Sequence, residues 1–445
     1  MNYETEEAPY RHLVTGVDTQ VPLANGNYGT YVNFDNAATT PPFNSVIKDI
    51  ISFSPWYSSI HRGNGYKSQI SSNIFENSRE TVLNFVHADP NNNTVIYVKN
   101  TTEGINKLSF RFCSGDKKCV VLSTNMEHHS NDLPWRDKYR LDYIELDKQG
   151  RLSLKDVEQK LINYNGAVKL VTVSGASNVT GYINPIYEVA KLAHKYNAKI
   201  LVDGAQLVPH CPVDMKPESS SEHIDFLVFS AHKMYAPFGI GVLIGPKAAF
   251  MQGAPDYKGG GTVDLVTHEY VAWNEPPEKE EAGTPNVMGV VALVSTIKTL
   301  TSIGMKNIDT YERRLAYYAL SSIKNIKDIE LYASSEDINN RVSIIPFNIK
   351  GMHHSIVSEI LSLEAGIAVR TGCFCAHPYV QKLLDVSGED ISNYLRTDKS
   401  ERPGMIRLSF GLYNSFSEID YFLRVLKYII NNKQYFLNKY SNHTH

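Results

Sequence analysis

The sequence predicts an α/β protein: a mostly parallel seven-stranded sheet covered by helices, with a smaller α+β domain after it. Three observations carry this. Short apolar, β-rich runs recur between residues 95 and 244, helical patterns lie between several of them, and the alternation stops after about residue 305. Buried parallel strands read as continuous apolar runs because both faces are covered.

Ser68 to His87 is predicted to be helical, with Ile70, Ile74, Val82, Phe85 and Val86 on or near one face. The predicted strands are Val95–Val98, Cys119–Leu122, Tyr143–Leu146, Leu170–Val173, Ile200–Val202, Phe226–Phe229 and Gly241–Ile244. Pro185–Tyr196 reads as an intervening helix. Ala254–Gly283, rich in Gly, Pro and Glu, reads as an excursion near the site. Asn286–Ile303 and Ile308–Ile323 read as long helices. Beyond them, Glu330–Tyr332, Val342–Ile349 and Met405–Phe410 read as strands, with helices near His353–Ala365 and Ser415–Ile430. The expected domains are a segment 1–44 that folds back onto the small domain, a large domain 45–305, and a small domain 306–445. Asp385–Gly404 is polar and reads as a mobile loop.

The 445 residues suit two or three domains, and 42% hydrophobic with 20% charged residues suits a globular protein. A net charge of −3 gives no electrostatic footprint for nucleic acid. No apolar run of ~18 residues predicts a membrane span, and the acidic start Met1-Asn-Tyr-Glu-Thr-Glu-Glu7 does not read as a signal peptide. Five cysteines do not make a disulfide framework, so reduced thiols and a cytoplasmic address are expected.

Ligands on such sheets bind beyond the carboxyl ends of strands. Lys233 lies there, in Phe229-Ser-Ala-His-Lys-Met234, and Asp203 ends the strand Ile200-Leu-Val-Asp203. A lone lysine is usually a solvated charge, and a lone aspartate at a strand end is usually a cap. Together they suggest pyridoxal phosphate on a lysine Schiff base, with a carboxylate for the ring nitrogen. Asn100-Thr-Thr-Glu-Gly104 follows a strand and opens a helix, so Thr101 and Thr102 read as an N-cap, a phosphate seat, or both. Ser230 and His232 could reach the same phosphate. In Glu127-His-His129, His128 could stack on the ring and exchange a proton; a surface pair is the plainer alternative.

Arg370-Thr-Gly-Cys-Phe-Cys-Ala-His377 contains two thiols spaced C-x-C. A zinc site needs a second ligand pair, and the other cysteines are scattered, so no metal is expected. A nucleophilic thiolate on a Gly-hinged loop and an inert buried thiol both remain open. Arg407 lies inside an apolar strand and needs an anionic partner. A substrate carboxylate or a structural ion pair would each supply one.

These segments resemble the class V, fold-type I pyridoxal-phosphate enzymes, in particular the cysteine desulfurase and selenocysteine lyase group. The likeness runs from Phe34-Asp-Asn-Ala-Ala-Thr39 to about Tyr413. It includes Thr101-Thr-Glu-Gly-Ile-Asn106, Glu127-His-His129, Ser177-Asn-Val-Thr-Gly181, Asp203-Gly-Ala-Gln206, Ser230-Ala-His-Lys233, Glu281-Ala-Gly-Thr-Pro-Asn286 and Arg370-Thr-Gly-x-x-Cys375. The resemblance implies that Lys233 forms the imine and shuttles the Cα proton. It implies Asp203 on the pyridinium, Gln206 on the ring hydroxyl and His128 on the ring face. Thr102, Ser230 and His232 would hold the phosphate, completed by Thr284 from the partner of a homodimer. Asn178 and Arg407 would orient the substrate carboxylate, with Arg370 beside them. Cys375 aligns with the sulfur-accepting cysteine, implying conversion of L-cysteine to L-alanine and delivery of sulfur to an acceptor protein or thiol. Selenocysteine lyase, or another C–S lyase of this fold, is the alternative. Cys373 is an extra thiol relative to the family pattern, and the spacing from Cys375 to Arg407 is wider than in compact members.

Overall fold

The structure is a computed structural model that describes residues 8–112, 118–334, 339–394 and 402–440. The central sheet is built from β1 (Asn93–Val98), β2 (Val120–Thr124), β3 (Arg140–Ile144), β4 (Val168–Ser174), β5 (Lys199–Asp203), β6 (Phe226–Ser230) and β7 (Gly241–Pro246). Their spatial order is β1-β7-β6-β5-β4-β2-β3. The four pairings from β6 to β3 are parallel, and β7 alone runs antiparallel to both its neighbours, β1 and β6. The predicted fold class therefore holds; six strands fall on the predicted apolar runs, while β3 begins at Arg140 and overlaps the predicted Tyr143–Leu146 only at Tyr143 and Ile144.

Alternation along each strand separates the two faces. Val95, Val171, Ile200, Val202, Leu227 and Val242 join one buried cluster. Ile96, Leu170, Leu201, Phe226, Val228 and Leu243 join another. On the first face lie α1 (Asn44–Phe53), α2 (Tyr66–Phe85) and α5 (Val287–Ile303), while α3 (Thr101–Arg111) contributes Ile105 and Leu108 to the second. Helix α4 (Ile186–Lys195) covers β5. Among the described residues no single helix is long and apolar enough to cross a membrane. Helix α5 is apolar because it is buried in the core.

After α6 (Met305–Ile323), a four-stranded sheet forms from β8 (Ile329–Leu331), β9 (Ile344–Ile349), β10 (Arg370–Gly372) and β11 (Met405–Ser409), in the order β8-β9-β11-β10, all antiparallel. Helices α7 (His354–Ala365) and α9 (Phe416–Asn431) cover it. Val32 and Phe34 of the N-terminal segment are buried in this second core, and Val32–Asn33 pairs in parallel with Ile367–Ala368.

Some expectations need correction. The helix predicted from Ile308 begins at Met305. The loop expected over 385–404 contains a short helix, α8 (Gly388–Tyr394); residues 395–401 lie outside the described residues. Residues 254–283 contain a hairpin of Val263–Val266 and Val271–Trp273. The short strand β10 was not predicted, because its three residues, Arg370–Gly372, have no apolar pattern. Cys119 is disulfide-bonded, against the expectation of reduced thiols, whereas Cys211, Cys373 and Cys375 are free.

Candidate active site

Strand ends create the site. Residues Val98, Gly241, Ser230, Val228, Asp203 and Ser174 are linked by direct pairings, so the carboxyl ends of β1, β6, β5 and β4 share one edge. Gly241 is required there: a Cβ would lie 2.7 Å from the Asn100 Cα. That close approach brings the first turn of α3 against the end of β6.

A cavity of 240 Å³ opens at this edge. It is lined by Thr101, Thr102, His128, Asn178, Asp203, Gln206, Ser230, His232, Lys233, Arg370, Cys375 and Arg407. Of the residues singled out from sequence, Thr284 and Cys373 lie elsewhere; Cys373 lines a neighbouring cavity with Pro403. Thr284 is exposed and lines another cavity with Ser59, His61 and Gly283.

The floor is hydroxyl-rich. The N-cap of α3 is Asn100, whose side chain accepts from the Glu103 N–H, and not Thr101 or Thr102. The threonine hydroxyls are thereby left to other partners. Thr101 N donates to Ser230 Oγ at 2.8 Å, the Thr101 and Ser230 hydroxyls lie 2.7 Å apart, and Thr102 Oγ1 meets Ser130 Oγ at 2.6 Å. Hydroxyls and backbone N–H groups at a helix N-terminus suit an anion such as phosphate.

Asp203 is buried, and Ala205 N donates to its Oδ1 at 2.9 Å. Burial raises its pKa, against the Ala205 N–H and the Lys233 charge. Such a carboxylate is short of positive charge and is suited to a protonated ring nitrogen. Lys233 is half-buried, and its pKa is lowered to about 8 by burial, with Asp203 opposing and Arg407 adding to the fall. A lysine in this range supplies a free amine near neutral pH. His128 is lowered to about 3, first by burial, then by Lys233, His129 and Arg407, so its imidazole is neutral. Burial, then Lys233, lowers His232 to about 4. Gln206 Nε2 donates to Ala37 O at 2.7 Å, while the buried Gln206 Oε1 has no partner. That orphaned acceptor fits a hydroxyl donor on a bound ring.

The opposite wall comes from the smaller sheet. Arg407 is buried; its Nη1 donates to Asn178 O at 2.8 Å and its Nη2 to Asp35 Oδ1 at 3.1 Å. Arg370 Nη1 lies 3.6 Å from Asp35 Oδ2. Both arginines thus share one carboxylate, and Arg407 Nε is left unpaired. The ion-pair reading of Arg407 is present in the structure, and the spare donor leaves capacity for a second anion. Cys375 is exposed and faces the cavity, whereas Cys373 lies beside Pro403, its Sγ 3.4 Å from the Pro403 carbonyl. Burial raises the Cys373 thiol to about 11. Three residues of this loop have positive φ: Gly372 at 98°, Phe374 at 50° and Cys375 at 55°. Asn178 Nδ2 donates to Phe374 O at 2.7 Å, and His129 N donates to Cys375 O at 2.7 Å, pinning the loop to the large sheet. The two histidines therefore have different surroundings: His128 lines the cavity, and His129 holds the cysteine loop.

Sequence reasoning assigned no role to Asp35, Ser130, Glu127 or the Ala37–Thr40 turn. Thr39 Oγ1 and Thr40 N both donate to His232 O at 3.0 Å, fixing the turn that carries Lys233. Glu127 is buried, accepts from Thr124, Asn131 and Ser174, and is raised to about 7 by burial. Of these, Asp35 and most of the Ala37–Thr40 turn left a trace in the quoted Phe34–Thr39 segment, and Glu127 in the quoted Glu127–His129 segment; Ser130 left none.

The aminotransferase class-V family model matches residues 32–422. This chain belongs to that family. It is similar to the probable cysteine desulfurase of Halalkalibacterium halodurans, 34% identical over 421 residues, covering 92% of this chain and 95% of that protein. It is also 34% identical to the cysteine desulfurase of Wigglesworthia glossinidia brevipalpis over 413 residues, 90% of this chain and 93% of the relative. Among solved structures, the apo cysteine desulfurase from Thermococcus onnurineus superposes with a TM-score of 0.81 at 31% identity, covering 94% of this chain and 98% of that one. The S-sulfonic acid form of the Escherichia coli cysteine desulfurase CsdA gives 0.79 at 26% identity, covering 96% and 99%.

Proposed function

We propose that this chain is a cysteine desulfurase that works with pyridoxal phosphate, releases L-alanine and takes the sulfur onto Cys375. One observation carries the reading: a lysine amine, a buried carboxylate and an exposed thiol share one cavity. The donor set fits the cofactor. Lys233 would hold it, Asp203 would meet the ring nitrogen, and the unpartnered Gln206 Oε1 would accept from the ring hydroxyl. Thr101, Thr102, Ser230 and His232 would surround the phosphate, with Thr284 contributed from a second copy of the chain.

When bound, pyridoxal phosphate supplies an electron sink for negative charge at the substrate Cα. The protein's residues do the rest. Arg407, with its free Nε, and Arg370 receive the substrate carboxylate, helped by Asn178. Lys233, as a free amine, takes the Cα proton. His128 stays neutral and lines the cavity, so it can hydrogen-bond the substrate thiol. Cys375 Sγ then forms the new S–S bond as the substrate Cβ–S bond breaks. The balance is L-cysteine plus Cys375 thiol giving L-alanine plus Cys375 persulfide, with no external oxidant. The persulfide passes to an acceptor thiol, protein or small molecule.

The test is mass spectrometry of holoenzyme treated with L-cysteine, together with alanine quantification. One added sulfur on the Cys375 peptide and stoichiometric alanine are expected. Alanine release unchanged in Cys375→Ala would remove the thiol from the mechanism and favour a lyase.

A further inference from the structure

A second cluster lies at the opposite edge of the central sheet. Strand β5 runs from Lys199 to Asp203, so its amino end is about 13 Å from the cavity. At that end Asp225, just before β6, is buried and faces two imidazoles. His194 Nε2 lies 2.8 Å from Asp225 Oδ2, and His223 Nε2 lies 3.4 Å from Asp225 Oδ1. The two rings are stacked 4.0 Å apart at 12°. The other nitrogen of each ring is also engaged: His194 Nδ1 lies 2.9 Å from Ser221 O, and His223 Nδ1 lies 2.7 Å from Ser220 O.

This arrangement has an electrostatic consequence. A carbonyl can only accept, so each Nδ1 carries the proton. A neutral ring then turns the Nε2 lone pair toward a carboxylate, which is repulsive. Protonating both rings would stack two cations 4.0 Å apart, beside the Lys199 ammonium already 2.7 Å from Asp225 Oδ1. Protonating His194 alone gives one ion pair with Asp225 and still leaves the His223 Nε2 lone pair facing the carboxylate; a single divalent cation instead takes both Nε2 lone pairs and a carboxylate oxygen at once. Backbone carbonyls on the far ring nitrogens are the usual means of orienting metal-bound histidines. The three ligand atoms lie within 4.8 Å of one another, near enough to converge on one ion with small rotations.

We propose that His194, His223 and Asp225 form a binding site for a divalent transition-metal ion of the zinc type. Two imidazole nitrogens and one carboxylate oxygen suit zinc, and water completes the sphere. The ion would join the last turn of α4, the 220–223 loop and the start of β6. It would brace from below the strands that carry Asp203 and Ser230. Lys199 competes for the same carboxylate; its side chain is 46% exposed and free to swing away.

The experiment is equilibrium dialysis of chelator-stripped holoenzyme against micromolar zinc at pH 8, with metal analysis and melting curves. Wild type is expected to hold one zinc more than the His194→Gln/His223→Asn double variant, and zinc should raise its melting midpoint by several degrees. Alanine release by the double variant reports that it is folded, because neither histidine touches the cavity. Lys199→Gln provides an independent arm: removing the competing ammonium should tighten zinc binding at least ~3-fold. Equal zinc in wild type and double variant, no zinc in wild type, or unchanged affinity in Lys199→Gln would each overturn the proposal.

Discussion

The cavity has two walls built on different principles. The sheet-edge wall, with Asp203, Ser230, Gln206 and Thr101, consists of buried side chains at strand and helix ends. The cysteine-loop wall, residues 370–377, has three positive φ angles, an exposed Cys375, and a few pins from the large sheet. The first wall suits groups that must stay put while charge develops. The second suits a thiol that has to receive a sulfur inside and present it outside. Holding and delivery are thus assigned to separate pieces of backbone, joined through Asn178 and His129.

The largest expected effect breaks the holding wall. Lys233→Ala should lower alanine formation by ~10³-fold or more, since it removes both the anchor and the base. It should also abolish the imine absorbance; persistence of that band would move the anchor elsewhere. Cys375→Ser attacks the delivery wall alone. Turnover of L-cysteine should fall roughly 10²–10³-fold while the imine absorbance survives. Loss of the absorbance as well would mean that the walls are not separable.

Arg407 touches both walls through Asn178 and Asp35. Arg407→Lys should lower kcat/KM by ~30-fold, mostly through KM, because a planar multidentate donor becomes a point charge. A change confined to the melting temperature would instead make the ion pair with Asp35 its sole role. The Lys233 amine offers a pH test. Its folded pKa is about 8, below the ordinary lysine value, so the neutral form gains as pH rises through 8. Imine formation by cofactor-free protein should accelerate with pH and level off above ~8. Linkage has a matching sign: between pH ~8 and the unfolded value the unfolded chain binds more protons, so this group makes stability rise with pH there. The smallest effect is expected for Cys373→Ala. That thiol faces Pro403 and is raised to about 11, so turnover should stay within ~2-fold. A large loss would place Cys373 in the delivery route.

Much of this was legible in the chain. Six of the seven strands show as apolar runs because both their faces are buried, while the edge strand β3, partly exposed, starts three residues before its predicted run. Lys233, Asp203 and Cys375 were visible because each stands in a setting unlike a surface residue's. Strand β10 was not, since three polar or small residues carry no period, and its pairing with β11 alone makes it a strand. Asn100 and the threonines are all cap-forming types, and the structure uses Asn100, the stronger cap, as the N-cap.

Local order and residue chemistry follow from the sequence itself, because backbone preference and burial periodicity are properties of neighbours along the chain. Companionship at a distance is decided only by the folded form. Asp35 meets Arg407 across 372 positions, Ala37 meets Gln206 across 169, and His194 faces Asp225 across 31. These contacts arise where separate strand ends and turns are packed side by side, and that packing sets which charges share a buried space and which protons they keep.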